Sequence, residues 1–326
     1  MKQADKKPLL VVGGPTASGK TRLAVDLAKA LNGEIVCADS MQVYRGMEIG
    51  TAAPTPEEQQ GIPHHLFGIL SPEESFSVAR YVELATQVIE EIHSRGKLPI
   101  LCGGTGLYIS ALTDNIRFDE AIPENPALRQ DLRKLAAEKG NEHLWSMLQE
   151  VDPPLAQKLH PNNLGRIIRA LEVYRASGCP MSEWQRRAKQ GECPYRLCFL
   201  ALCYRDRQTL YRRINMRVDQ MLQQGLLEEV KALLDKGYQS TAMQAIGYKE
   251  LAGYLAGEQS LEEAVETLQR QTRRYAKRQL TWLRRDERIH WLEADAFDSY
   301  ESLLQAALDT VKESGITLPK EENHEK

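Results

Sequence analysis

The chain has 326 residues, a formal net charge of −3, 42% hydrophobic and 27% charged residues, which is an ordinary globular composition with length for two domains. No apolar run approaches the ~18 residues of a membrane span, and Met1-Lys-Gln-Ala-Asp-Lys-Lys7 has no signal-peptide core behind it, so a cytoplasmic location is expected. The six cysteines show neither C-x-x-C nor Cys/His ligand spacing, which argues against a zinc module or a disulfide framework.

In chain order, residues 8–13 read as a short buried strand and 20–31 as a helix with Leu23, Leu27 and Leu31 on one face, closed by Asn32-Gly33. Between them stands Gly14-Pro15-Thr16-Ala17-Ser18-Gly19-Lys20-Thr21, a complete G-x-x-x-x-G-K-[ST] phosphate loop in the strand–loop–helix setting it requires. Its backbone N–H groups from about Thr16 to Thr21 are expected to converge on a phosphate, with Lys20 as a point charge and the Thr21 hydroxyl as a ligand for Mg²⁺. Strands at 34–38 and 98–102 and helices near 75–94 and 106–112 continue the alternation. A parallel sheet flanked by helices follows, in an α/β fold of the P-loop NTPase-like kind.

From 113 to 195 strand signals vanish, which predicts an all-helical insertion; Arg196–Tyr204 then reads as a strand returning the chain to the first sheet. The expected core is therefore discontinuous, 1–112 plus 196–317, with 113–195 as the insertion and 318–326 as a flexible tail. Helices at about 207–223, 226–236 and 260–285 follow, the last opened by the capping box Ser260-Leu-Glu-Glu263, and Ile289–Leu292 is one more short strand.

Asp39 follows the second strand, so its carboxylate stands at the sheet edge that presents the phosphate loop, where it can take a proton or hold a metal-bound water; a turn cap is the competing role. The third strand ends in Gly103-Gly-Thr-Gly-Leu-Tyr108 and lacks a Walker-B acid, which disfavours a motor-type ATPase. Thr105 offers a neutral donor there, among glycines that suit either close ligand approach or a tight turn. Arg217 lies within the apolar stripe Leu210, Ile214, Val218, Met221 and needs an anion, either a carboxylate of the protein or a ligand phosphate. On helix 260–285, Arg270, Arg273, Arg274, Lys277, Arg278, Arg284 and Arg285 share a face that no acid interrupts, which fits a polyanionic partner. Arg166, Arg169 and Arg175 add basic content in the insertion.

These blocks resemble the bacterial tRNA dimethylallyltransferase (tRNA isopentenyltransferase) family, nearly end to end. The likeness rests on Gly14–Thr21, Asp39-Ser-Met-Gln-Val-Tyr44, Ile49-Gly-Thr51, Pro63-His-His-Leu66, Gly103–Tyr108, His160-Pro-Asn162, Arg166–Tyr174, Ala245-Ile-Gly-Tyr-Lys-Glu-Leu251 and Tyr275–Trp282. It implies transfer of a dimethylallyl group from dimethylallyl diphosphate to N6 of adenosine 37 in tRNAs reading codons that begin with U, with Asp39, Thr105 and Arg217 as catalytic residues and Mg²⁺ as cofactor. It implies a donor site at Gly14–Thr21 and a monomeric protein. It also implies tRNA contacts from Asp39, Ser40, Met41, Gln42 and Thr105, from Gly165, Arg166, Ile167, Ile168 and Arg169, from Gln244, Ala245, Ile246, Gly247, Tyr248 and Lys249, and from Arg274, Lys277 and Arg278. Two positions depart from the family pattern, Ala53 for a usual lysine and Asn163 for a usual aspartate. A P-loop small-molecule or nucleoside kinase is the rival reading, and the one-sign basic helix and the insertion count against it. A non-enzymatic RNA-binding protein would leave Asp39, Thr105 and Arg217 without a purpose.

Overall fold

The computed structural model describes residues 6–116, 122–188, 191–238 and 241–316; the expected tail, 318–326, lies outside them. In chain order the elements are β1 (Lys7–Gly13), α1 (Lys20–Ala30), β2 (Gly33–Cys37), α2 (Glu48–Thr51), α3 (Pro56–Gln59), β3 (His64–His65), α4 (Val78–Ser94), β4 (Leu98–Gly103) and α5 (Gly106–Thr113). Then come α6 (Pro126–Lys139), α7 (Asn141–Val151), α8 (Pro153–Ala156), α9 (Leu164–Ser177) and α10 (Met181–Ala188). The chain closes with β5 (Tyr195–Cys203), α11 (Arg207–Gln223), α12 (Leu226–Asp235), α13 (Tyr248–Leu255), α14 (Leu261–Leu283), β6 (Ile289–Glu293) and α15 (Tyr300–Glu313).

Two compact units result, one from the segments up to Thr113 and from Cys193 onward, the other Asp114–Glu192. In the larger unit six strands run parallel in the order β3-β2-β4-β1-β5-β6. Alternation along β1 explains its unbroken apolar text. Leu10 and Val12 pack against α1 and α15 through Leu23, Leu27, Leu303 and Val311, while Leu9 and Val11 pack against α4 and α5 through Tyr81, Ile89, Ile109 and Leu112. A further core gathers Val43 and Met47, from the segment between β2 and α2, with Val218, Leu226, Val230, Tyr248 and Leu268 from α11 to α14.

The smaller unit has its own core, Leu132, Leu144, Leu148, Ile167, Ile168 and Leu171. Glu172 is buried there and accepts from Arg129 at 2.8 Å and Arg169 at 2.5 Å, so hydrogen bonds to two guanidiniums hold its carboxyl below the usual value although burial alone would raise it. Asn163 precedes α9 without capping it through its side chain.

A corresponding cluster ties down the edge of the large sheet. Glu34 on β2 is 3% exposed and accepts from Arg95 at 2.7 Å, from Lys97 at 3.0 Å and from His65 at 2.7 Å. Burial works to raise its pKa, yet these hydrogen bonds outweigh it and hold the carboxyl at about 2 against an ordinary 4.5. The stabilisation is complete above the ordinary value and is lost as pH falls from there toward the depressed one. Glu34→Gln is expected to cost about 2–3 kcal/mol at pH 7. Urea melts from pH 7 to 2 should show the variant lower at neutral pH and converging with the parent in acid.

Candidate active site

The C-terminal ends of the strands deliver four segments to one edge, as ligand sites of open parallel sheets require. Gly13 is in register with Gly103 on β4 and Ala201 on β5, so the phosphate loop opens beside the Gly104–Thr105 turn and beside Tyr204. Cys37 pairs with Cys102, which sets Asp39 across that same turn.

The phosphate loop is fastened from outside. Gly19 caps α1 in a left-handed conformation, φ +94°, and Ala17 adopts φ +61°, a region that disfavours a Cβ. Arg213 Nε donates to the Ala17 carbonyl at 2.9 Å, Tyr204 Oη to that of Ser18 at 3.3 Å, and Lys20 Nζ to that of Pro15 at 3.4 Å. Two of the amides expected to face a phosphate are turned inward instead. Thr16 N donates to Gln279 Oε1 at 2.9 Å, and Ser18 N to the Pro15 carbonyl at 3.3 Å. Ser18 Oγ is buried without a hydrogen-bond partner.

A cavity of about 290 Å³ opens on this loop. Thr16, Lys20, Thr21, Asp39, Ser40, Gln42, Arg217, Tyr275 and Arg278 are among its polar lining, and Ala17, Met41, Ile214, Val218, Met221, Leu226, Ala245, Ile246 and Leu268 among its apolar lining. Burial lowers the pKa of both Lys20 and Arg217, so each is a desolvated cation. Among the described residues neither forms an ion pair; the one side-chain hydrogen bond Arg217 makes is a long one to Thr16 Oγ1, 3.4 Å. The charges of Glu58 and Asp39 reach Arg217 without pairing with it, and its hydrogen bond is to the phosphate loop. Two desolvated cations beside a glycine-rich helix N-terminus make an anion site.

Asp39 takes the turn-cap role and also stands on the cavity wall. Oδ1 caps the turn by accepting from Met41 N at 2.9 Å, and Oδ2 has no partner among the described residues while the side chain lines the cavity. Thr105 Oγ1 accepts from Ser40 N at 3.0 Å and lies 3.4 Å from Ser40 Oγ; Thr105 itself is not part of the cavity wall. Gln42 is fixed by two bonds from Nε2, to the Thr51 and Ala52 carbonyls, both 2.9 Å. Tyr275, one of the polar residues inside the apolar stripe of α14, also faces the cavity; burial and then the nearby Asp39 charge push its phenol well above its ordinary pKa, so it is a neutral donor.

Other expected contact residues divide. Gln244 through Gly247 line the cavity, and Arg274, Lys277 and Arg278 are exposed and make no ion pairs among the described residues. Gly165, Arg166 and Lys249 are exposed, Lys249 lying 3.7 Å from Glu250. Tyr248 is fully buried instead. Its hydroxyl donates to Glu229 at 2.6 Å, and that carboxylate accepts from Ile49 N and Gly50 N, so the tyrosine braces the segment that holds Gln42. Ile167 and Ile168 sit in the core of the smaller unit, and Arg169 is committed to Glu172 and to the Ile122 carbonyl, while Arg166 is exposed and forms no ion pair among the described residues.

Residues that sequence reasoning passed over are Gln279, Tyr275, Arg213, Tyr204 and Glu229. For Gln279 and Tyr275 the signal was the same as for Arg217, a polar group in an apolar helix stripe. For the others, nothing local marks the role.

Fold and site together define a phosphate-loop α/β protein whose cavity sets two desolvated cations and a carboxylate on one wall. A family model described as IPP transferase matches residues 42–286. The tRNA dimethylallyltransferase of Acetivibrio thermocellus is 50% identical over 299 residues, 91% of this chain and 95% of that one, and its counterpart in Alkaliphilus oremlandii is 50% identical over 309 residues, 94% and 98%. Among solved structures, the tRNA isopentenylpyrophosphate transferase of Bacillus halodurans superposes with a TM-score of 0.69 at 43% identity over 95% of this chain and 98% of that one. A eukaryotic dimethylallyltransferase acting on tRNA gives 0.79 at 30% identity over 97% and 81%. The chain belongs to the IPP transferase family.

Proposed function

We propose that this chain transfers a dimethylallyl group from dimethylallyl diphosphate to N6 of adenosine 37 in tRNA, releasing pyrophosphate. The observation that carries the donor half is the pair of desolvated, unpaired cations, Lys20 and Arg217, on the phosphate-loop wall. Facing apolar side chains suit a five-carbon tail, which a phosphate donor such as ATP lacks.

In this reading the C1–O bond of the donor breaks, its electron pair leaves with pyrophosphate, and N6 forms the new bond to C1 as it gives up a proton. The N6 lone pair is delocalised into the purine and is a poor nucleophile, so Asp39 Oδ2 receives that proton. Lys20, the free loop amides and Arg217 balance the charge growing on pyrophosphate. The adenine must leave the anticodon-loop stack to reach Asp39, at a cost of about a few kcal/mol. Among the described residues no cluster of three or more His, Cys, Asp or Glu forms a metal cage. Thr21, on the cavity wall beside Lys20, has the hydroxyl that would hold Mg²⁺, and the ion would supply further neutralisation of the diphosphate.

No helix of the described residues is long and apolar enough to cross a membrane. The reading carries a cytoplasmic, monomeric enzyme with tRNA as its macromolecular partner. The deciding assay incubates the chain with unmodified tRNA, Mg²⁺ and dimethylallyl diphosphate and weighs the nucleosides after digestion. Phosphorylation of a metabolite or nucleoside in place of dimethylallyl-adenosine would favour the kinase.

The exposed face of α14 binds the tRNA backbone in this account. Arg274→Glu with Lys277→Glu is expected to weaken tRNA binding and to flatten its log–log salt dependence by roughly 1–2, at unchanged KM for the donor, as read by filter binding across a salt series.

A further inference from the structure

We propose that Gln279 is a positioning residue that locks the donor-holding loop to the turn that orients the acceptor side; the inference deepens the transferase reading and rests on it. Gln279 lies on α14 between Ala276 and Leu283 and is 5% exposed. A buried primary amide must satisfy both ends. Here Oε1 accepts from Thr16 N at 2.9 Å and Nε2 donates to the Gly104 carbonyl at 3.1 Å. Those partners belong to the turns after β1 and β4, neighbouring strands of the sheet.

The fit on the second turn is close. A Cβ on Gly104 would stand 2.1 Å from Gln279 Nε2, one on Gly106 2.1 Å from the Trp282 ring, and one on Gly103 2.2 Å from the Ala38 carbonyl. The glycines of Gly103–Gly106 are therefore accounted for by the protein's own packing against α14 and β2, not by approach of a ligand. From this turn Thr105 Oγ1 holds Ser40 N, the neighbour of Asp39. One neutral amide at the cavity wall thus ties the loop that takes the diphosphate to the turn whose hydroxyl places the Asp39 segment, with both its ends already spent on the protein's own backbone. Thr16 N, used in this way, is withdrawn from the phosphate cradle; without Gln279 it would be an unsatisfied donor in a part-buried loop.

The test compares the full chain with Gln279→Leu and Gln279→Glu, using inorganic pyrophosphate titration, donor KM and kcat, and a double-mutant cycle with Thr105→Ala. Gln279→Leu is expected to bind pyrophosphate about tenfold more weakly and to lose roughly 10- to 100-fold in kcat, since both ends are cut. Gln279→Glu keeps the acceptor for Thr16 N and loses the donor for Gly104, so kcat should fall while pyrophosphate affinity suffers less; this variant also serves if the leucine chain fails to fold. The effects of Gln279→Leu and Thr105→Ala on kcat should be less than additive, because both act on one turn. Parental pyrophosphate affinity and kcat in the leucine variant, or strict additivity with Thr105→Ala, would overturn the proposal. If the parent chain makes no dimethylallyl-adenosine, the transferase reading fails instead, and pyrophosphate affinity alone still decides whether Gln279 positions the loop.

Discussion

Asp39→Asn is expected to lower kcat for tRNA prenylation by about 10²–10⁴-fold while leaving tRNA affinity within about twofold. The replacement is close to isosteric, and its side-chain oxygen can still accept from Met41 N, so the turn that Oδ1 now caps is retained. What disappears is the basic Oδ2 facing the cavity. Among the described residues no other carboxylate of the wall can activate the amine, because Asp39 is the one acid lining it. Single-turnover measurements with saturating tRNA and donor separate this loss of chemistry from a loss of binding. A variant that transfers at a rate within a few-fold of the parent would remove Asp39 from the proton path and leave it as a turn cap.

The parts legible in the sequence are those whose signal is local. The phosphate loop, the strand runs of β1, β2, β4 and β5 and the long helices α11 and α14 stand within one or two residues of their expected limits, because each carries its own periodicity and caps. β3 is two residues long, and only pairing with Ile35 and Val36 makes it a strand. α13 was not expected because Tyr248 and Leu251 read as part of a contact block rather than as a buried face. α15 did carry a signal, the Leu303, Ala307, Val311 stripe behind the capping Ser299, and was still passed over. Side-chain direction was the harder loss. Tyr248, Ile167 and Ile168 lie in motif blocks, and adjacency in sequence does not tell a residue that touches a partner from one that supports its neighbours. Arg169 illustrates the same point, since the glutamate that claims it stands three residues along the helix.

Arg217→Ala should separate stability from activity in the opposite direction to most active-site changes. Burial lowers the guanidinium's hold on its proton more than the charges of Glu58 and Asp39 restore it, and no carboxylate among the described residues forms an ion pair with it, so the side chain is a cost to the unliganded fold. Its removal is expected to leave the thermal midpoint unchanged or raised. With the donor bound the balance reverses, because a bidentate guanidinium on the leaving pyrophosphate is worth most as the C1–O bond breaks. We expect kcat/KM for the donor to fall by about 10²–10³-fold, roughly 3–4 kcal/mol of transition-state stabilisation, and the protection that pyrophosphate gives against thermal unfolding to shrink. Arg217→Lys should recover part of the affinity and less of the rate, since a point charge lacks the fork. Differential scanning fluorimetry with and without pyrophosphate, run beside donor kinetics, reads both halves. A clear drop in the unliganded midpoint with unchanged donor kinetics would assign Arg217 to the fold, and Lys20 would then carry the diphosphate charge without it.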